Sequence, residues 1–397
     1  MRGPIEGVRV LDLTHSLAGL FCTMFLADLG AEVIKLEPPQ PGQKGVGARF
    51  PTGWAVEGID LRFFHLSRNK KSLALDLKSP AGRQVLYELV KKVDAVVDNF
   101  RPAVLPRLGL AYENLRPLNP RIIACSITSF GSRGPYRDRP AMDSVAQALS
   151  GVLSLNWEKG QGPVMGLPVA DLSSGLLAAQ GLCAALYQRD RTGLGQQVEV
   201  SLLDTCLALL HYEATYYLNS GKLPPPRGTK VWGAPLFGLF RTRDGYVALS
   251  AITEKQWQNI CPLLGCQHLL EDARFQTQAL RVKNALELNA LVEALTQEWK
   301  SQDLIARLQE MDIPASPINT LEEAFADPHI RAGGMVVEVA YQGKTLKTIG
   351  NPLRFSASQQ EYRKPPGFGE HTQEILGGLL GYSRQRLEEL KREGVIS

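Results

Sequence analysis

The sequence predicts an α/β fold, with a large domain built on an open parallel sheet and a smaller α+β domain after it. Three observations lead there. Short apolar runs of strand length alternate with helix-length amphipathic stretches through residues 8–128, the pattern of parallel strands joined by helical crossovers. A Pro- and Gly-rich break, "NSGKLPPPRGTKVWGAP" (219–235), interrupts the chain, and beyond it the pattern changes to a hairpin followed by helices. At 397 residues the chain also exceeds what one hydrophobic core usually supports.

Each element follows in order. "VRVLDL" (8–13) reads as a buried strand, "THSLAG" as a loop and "LFCTMFLADLG" as a helix. Gly30 stands where a helix C-terminus turns, and "AEVIKLE" (31–37) reads as the next strand. Such a βαβ unit is right-handed in nearly all parallel sheets. The pattern returns with the strand "KSLALDL" (71–77) and the helix "SPAGRQVLYELVKKV", which has Ser79 as its cap and Pro80 in its first turn. "DAVVDNF" (94–100) and "RIIACSIT" (121–128) are further strands, and "GQQVEVSLLDTCLALLHYEATYYL" reads as a strand running into one long helix. After the break, "LFRTRDGYVALSA" (239–251) reads as a hairpin turning at Asp244-Gly245. Amphipathic helical stretches then run to about residue 312, and the tail ends in an amphipathic helix.

Composition narrows the function. With 44% hydrophobic and 21% charged residues the chain has the make-up of a globular protein with a sizeable core. A formal charge of +4 without a concentrated basic stripe argues against nucleic acid as a partner. No unbroken apolar run approaches the ~20 residues a bilayer crossing needs, so no membrane partner is expected. The six cysteines form no CxxC pair, and the nearest two, Cys261 and Cys266, lack a His/Cys pair at zinc spacing. No metal is expected, and a reduced, cytoplasmic setting is. The N-terminal residues enter a strand almost at once, without the pattern of a signal peptide.

Three features could carry chemistry. The loop "THSLAG" offers main-chain donors at a strand-to-helix turn, where anionic groups dock. It lacks the spaced glycines of a dinucleotide fingerprint, and a lone His15 there is more often structural. A set of cations recurs near strand ends: Arg68, Lys70, Lys71 and Lys78, then Arg101 and Arg107, then Arg133, Arg137 and Arg139. They either solvate the surface or hold phosphates at the ligand face. The third is Asp171, in "GLPVADLSSGLLAAQ". Asp is a favoured helix cap. A carboxylate at a helix start also stays ionised, and can act as a nucleophile toward an activated acyl group.

Five stretches taken together carry a resemblance: "GVRVLDLTHSLAGLFCTMFLADLGAEVIKLEPP", "SRNKKSLALDLKSPAGRQVLYELVKKVDAVVDNFRPAVLPRLGL", "GPYRDRPAMDSVAQALSG", "GLPVADLSSG" and "GEHTQEIL". In this order they resemble the class III CoA-transferases, the family of the formyl-CoA and carnitine CoA-transferases. The resemblance is dense over the first ~210 residues and thin between about 220 and 320, as expected of a divergent second domain. It implies that Asp171 attacks the thioester carbonyl of a donor acyl-CoA and passes through a mixed anhydride and an aspartyl-CoA thioester before CoA reaches an acceptor carboxylic acid. It implies CoA contacts from His15, Leu17 and Ala18, from Leu75, Asp76, Leu77 and Lys78, from Asn99, Phe100, Arg101 and Arg107, and from Arg139. Coenzyme A or acyl-CoA is then a substrate, and no permanently bound cofactor is expected. The implied architecture is a Rossmann-like large domain made from both chain ends, with two subunits interlocked as a homodimer. The boundaries that follow are 1–210 for the first part of the large domain, 211–229 for a linker, 230–318 for the small domain, and 319–397 for a return linker and the rest of the large domain.

Two departures from the family pattern bear on substrate. Formyl-CoA transferase carries a glycine run over the intermediate, and "GTKVWGAPLFG" has none, which implies a different acyl partner or a shorter lid. Met142 precedes Asp143 where the family usually has Tyr, so a hydroxyl is absent. The α-methylacyl-CoA racemases, a related alternative, carry a His at that position as a second acid/base, a role Met cannot fill. A non-catalytic CoA-binding protein is a further alternative, against which an acid facing the thioester argues. A nucleotide-dependent oxidoreductase rests on α/β alternation alone.

Overall fold

A computed structural model of the chain describes residues 3–39, 49, 53–156, 163, 165–224, 228–231 and 233–397. Val164, and residues 225–227 and Trp232 of the 219–235 break, lie outside the described residues. The chain divides into two compact units, Met1–Gly151 with Met165–Leu210 and Gly333–Ser397, and Val152–Val164 with His211–Ala332.

The first unit is built on six strands: β1 (Arg9–Asp12), β2 (Glu32–Glu37), β3 (Lys70–Ala74), β4 (Ala95–Asp98), β5 (Ile123–Thr128) and β6 (Gln197–Ser201). They lie in the order β3-β2-β1-β4-β5-β6, and every pair is parallel. A parallel sheet is covered on both faces, so its central strands are apolar throughout rather than alternating. All six residues of β5 are accordingly buried. Helix α1 (Leu17–Asp28) joins β1 to β2, and the chain leaves it through Gly30 at φ +100°, a conformation that favours glycine. Helix α2 (Pro80–Val90) starts as predicted, with Ser79 Oγ accepting the Gly82 N–H at 3.0 Å.

Helix α3 (Asp143–Ser150) precedes α4 (Val169–Thr192), which is followed by β6 and α5 (Leu202–Leu209). Among the described residues α4 alone is long and apolar enough to cross a membrane, and it is half buried within the fold. Its contacts with α1, α3, α5, β5 and β6 account for that apolarity as core packing. The single long helix expected after β6 is instead two. It breaks at His211, φ +43°, where the first unit ends, and a second helix, His211–Ser220, occupies the first half of the stretch read as linker.

The chain returns to the first unit through a hairpin that the sequence did not announce, β7 (Val336–Tyr341) and β8 (Lys344–Ile349). Gln342 and Gly343 form its two-residue turn, both with positive φ. Helices α6 (Thr372–Leu380) and α7 (Arg384–Arg392) follow. Ile375, Leu376, Leu390, Val395 and Ile396 join Leu11, Ile34, Leu73 and Val96 in one core. The "GEHT" turn is the seam. His371 N–H donates to Ser72 O (3.0 Å), His371 Nδ1 accepts from Ser72 N–H (3.2 Å), and Thr372 Oγ1 accepts from Ala74 N–H (3.2 Å). These bonds cover the outer strand β3, whose main-chain groups would otherwise stand open.

The second unit holds a three-stranded antiparallel sheet of Phe237–Thr242, Gly245–Ser250 and Ala315–Pro317. The expected hairpin is there, turning through Arg243-Asp244, one residue earlier than predicted. Phe240, Val247, Trp257, Phe275, Leu288 and Leu304 form its core with helices that include Glu254–Leu263, Ala285–Thr296 and Ser301–Glu310.

Candidate active site

In an open α/β sheet ligands gather beyond the carboxyl ends of the strands, at the point where the strand order reverses. Here that point lies between β1 and β4. The loop after β1 and the loop after β4 are tied together: His15 N–H donates to Asn99 Oδ1 at 3.0 Å, and Asn99 Nδ2 donates to Ser16 Oγ. The His15 and Phe100 rings lie 5.6 Å apart. Asp98, buried at the end of β4, accepts from Phe100 N–H (3.0 Å) and Ser126 Oγ (2.7 Å) and fixes the turn. Burial pushes the Asp98 carboxyl up to about 6 against the pull of those two donors. Burial, and then the field of Lys35, pushes the His15 imidazole below its usual range, so the ring is neutral at neutral pH.

The predicted CoA residues divide by what their side chains can offer. Leu75 and Ala18 are buried, and Leu77 packs on the core, so these three present main chain. Leu17 is half-buried. Leu75 N–H already donates to Glu37 O, and Asp76 N–H to Val395 O. Asp76 Oδ1 accepts the Lys78 N–H at 2.9 Å, which shapes the turn after β3 and leaves the Lys78 side chain exposed. Arg101 and Arg107 are exposed after β4. The loop carrying Arg139 is joined to them, because Asp138 Oδ1 accepts the Ala103 N–H at 3.0 Å and Arg139 stacks over Tyr136 at 5.0 Å.

The cations read as one set separate into two. Arg68 is buried against Asp28 (2.6 Å), Lys70 against Asp12 (3.1 Å), and Lys71 pairs with Glu32 and Glu374. All three lie at or just before the start of β3, are spent on ion pairs within the first unit, and serve the fold. Among the described residues Lys78, Arg107, Arg133 and Arg139 have no ion-pair partner, Arg101 lies in the field of Asp138, and Arg137 pairs with Asp138 at 3.0 Å.

Asp171 is not the helix cap. Helix α4 begins at Val169 with Pro168 at the cap position, and Asp171 is the third residue of its first turn. The free N–H groups of that turn need an acceptor, and one comes from α3: Asp143 Oδ1 accepts the Asp171 N–H at 3.0 Å. The Asp171 carboxylate itself receives no hydrogen bond from the described residues, although the residue is only 8% exposed. Burial first, and then the charge of Asp143, push it up to about 6, with Arg62 pulling the other way. Gly175, one turn further on, lets α4 touch α1. A Cβ there would lie 2.6 Å from Ala18 O, so only glycine permits this approach and brings the first turns of the two helices together. Neighbouring Ser174 is engaged elsewhere, donating to Thr205 on α5 at 3.0 Å.

Helix α4 thus carries a buried, undercoordinated carboxylate one turn from its contact with α1, the helix that follows the loop tied to Asn99. At neutral pH that carboxylate is mostly ionised, which suits attack on an activated acyl carbon. Sequence reasoning named Asp143 only as the neighbour of Met142 and gave no role to Gln147, Arg62, Asp98 or Asp138. The four-residue spacing of Asp143 and Gln147 is the one signal that pairs any two of them.

Comparison with known proteins gives the same direction. The model of a family described as CoA-transferase family III matches residues 5–372. The chain is 35% identical to a succinate–glutarate CoA-transferase of Agrobacterium fabrum, over 95% of this chain and 96% of that protein. It is 34% identical to a formyl-CoA:oxalate CoA-transferase of Rhodopseudomonas palustris, over 100% and 98%. Its fold is similar to the crystal structure of a CAIB/BAIF family protein from Brucella suis, with TM-score 0.81 and 35% identity over 96% of this chain and 100% of that one.

Proposed function

The chain belongs to CoA-transferase family III, and on that premise we propose that it passes coenzyme A from an acyl-CoA thioester to a free carboxylic acid through covalent intermediates on Asp171. The observation that carries the reading is the Asp171 carboxylate, nearly buried yet without a donor, one turn from the contact between α4 and α1. A carboxylate in that state is a better nucleophile than a solvated one.

The steps balance as follows. An Asp171 oxygen attacks the thioester carbonyl, the C–S bond breaks, and CoA thiolate leaves a mixed anhydride. The thiolate attacks the aspartyl carbonyl of that anhydride, freeing the donor acid and forming an aspartyl-CoA thioester. An acceptor carboxylate attacks this thioester, expels the thiolate and forms the second anhydride. The thiolate then attacks the acceptor's acyl carbon, and the Asp171 carboxylate returns as the new acyl-CoA departs. Shielding from water protects the anhydrides from hydrolysis.

Coenzyme A docks, in this reading, at the crevice between β1 and β4, with His15, Leu17, Ala18, Asn99 and Phe100 around it. Its phosphates meet Lys78, Arg101, Arg107 and Arg139, all four exposed. The acceptor is a short dicarboxylic acid, the class of the succinate, glutarate and oxalate in the names of the relatives. Arg62 supports this, as a half-buried guanidinium with no ion-pair partner among the described residues and with its charge felt at Asp171. The working form is an interlocked homodimer in the cytoplasm. Exposed Val145, Leu149, Leu176, Leu177, Leu207 and Leu209 on α3–α5 are the apolar surface a second copy would cover, and six free cysteines suit a reducing compartment.

The test is a transfer assay with succinyl-CoA or formyl-CoA as donor against a panel of mono- and dicarboxylic acids. New CoA esters of dicarboxylic acids are expected. Transfer confined to monocarboxylic acids would remove the substrate proposal and leave the transfer itself standing.

A further inference from the structure

We propose that Asp143 is a positioning residue for the transfer: it fixes the main chain of Asp171 and holds a second negative charge against its carboxylate. The inference rests on the reading of Asp171 as nucleophile. Pro168, at the cap position of α4, has no side-chain acceptor to offer. Asp143 supplies one from another helix and is itself held from behind. Its Oδ2 accepts from Gln147 Nε2 at 2.6 Å, one turn along α3, and the same amide reaches Leu167 O at 3.4 Å, just before α4 begins. Gln147 is buried, so the chain Leu167–Gln147–Asp143–Asp171 is a closed connection between the starts of the two helices.

A cap alone does not need this residue type. Asn, Ser or Thr would accept the same N–H without setting a negative charge beside a carboxylate already short of solvent. The charge acts on the reaction in two ways. It raises the basicity of Asp171, and nucleophilicity rises with basicity. It also disfavours the free carboxylate relative to the acylated state, because acylation removes the negative charge from Asp171 and relieves the repulsion. The groups whose charges bear on Asp171 are Asp143 on α3 and Arg62 on the short helix Leu61–Leu66, which oppose one another. On α5 the Cys206 thiol, in the field of Asp143 and bonded to Ser150, is pushed up by burial and stays neutral.

The test is the pH profile of kcat/KM for acyl-CoA, measured on wild type, Asp143→Asn and Asp143→Ala with any donor and acid that the wild type turns over, and with Asp171→Asn alongside. Asp143→Asn keeps an acceptor oxygen and loses the charge. Its acid limb is expected to move to lower pH by roughly half a unit to one unit, and its plateau to fall about three- to tenfold. Asp143→Ala loses the acceptor too, and its plateau is expected to fall further, with CoA affinity by titration calorimetry unchanged in both. An acid limb in Asp143→Asn that coincides with the wild type, while Asp171→Asn is inactive, overturns the role of Asp143 alone. Turnover by Asp171→Asn overturns both this role and the nucleophile. Should Asp143→Ala fail to fold, the Asn variant decides the matter.

Discussion

Two carboxylates buried in the same unit, Asp12 at the end of β1 and Asp171 at the start of α4, are held in opposite ways. Asp12 accepts from Thr14 N–H (2.9 Å), Thr14 Oγ1 (2.6 Å), Thr23 Oγ1 (2.7 Å) and Lys70 Nζ (3.1 Å), with Lys35 Nζ at 3.5 Å. Burial alone would raise its proton affinity, but the two ammonium groups and the hydroxyls hold it well below the usual carboxylate range. Asp171 is burdened by burial and by a like charge, without a donor, and is raised to about 6. The contrast separates structure from chemistry. A satisfied acid contributes to stability and is unreactive, whereas an unsatisfied one costs stability and keeps its lone pairs for a substrate.

The largest effect expected is on turnover. Asp171→Asn should fold and lose transferase activity by at least about a thousandfold, as a coupled assay and circular dichroism would register. The same variant sharpens the comparison through pH. Because the folded pKa of Asp171 lies above its unfolded value, the native state binds the extra proton, and this contribution to stability is full below pH ~4 and lost as pH rises through about 6. Asn has no such loss. Urea titrations should therefore show Asp171→Asn more stable than wild type by about 3 kcal/mol at pH 7.5, with the gap closing toward pH 4.5.

Asp12→Ala is the opposite case. It strands Lys35 and Lys70 as buried, unpaired charges, and should cost ~3–5 kcal/mol or prevent folding. Wild-type stability in that variant would break the comparison. Gly175→Ala should cost ~1–3 kcal/mol by forcing α4 away from Ala18, with a greater fall in kcat than in CoA affinity because Asp171 moves with its helix. The smallest effect is expected from Arg101→Ala and Arg107→Ala, each weakening CoA binding about three- to tenfold with no change in melting temperature. Calorimetric titration would expose an error if affinity held.

The sheet was legible because the strands β1 to β5 are mostly buried and each carries a short apolar run, although β3 ends at Ala74, three residues before the expected 77. The hairpin β7–β8 was not, since "VVEVAYQGKTLKTI" mixes exposed polar residues with a turn of Gln342 and Gly343. Asp171 was legible as a residue and misjudged as a cap. A sequence shows which side chain can accept an N–H, but the acceptor that does so here lies 28 positions earlier. The cations divide for the same reason. Nothing local to Arg68 reveals that Asp28, 40 residues away, neutralises it, or that Arg107 has no ion-pair partner among the described residues. Pairing across helices and strands is tertiary information, and local pattern does not carry it.

The most direct test is to mix the protein with a donor acyl-CoA that it turns over, quench within the first turnovers, digest, and weigh the peptide that holds residues 169–189. A mass increase equal to CoA or to the donor acyl group, located on Asp171 by fragmentation, is the predicted result. Continued transfer with that peptide unmodified at every time point would contradict the account.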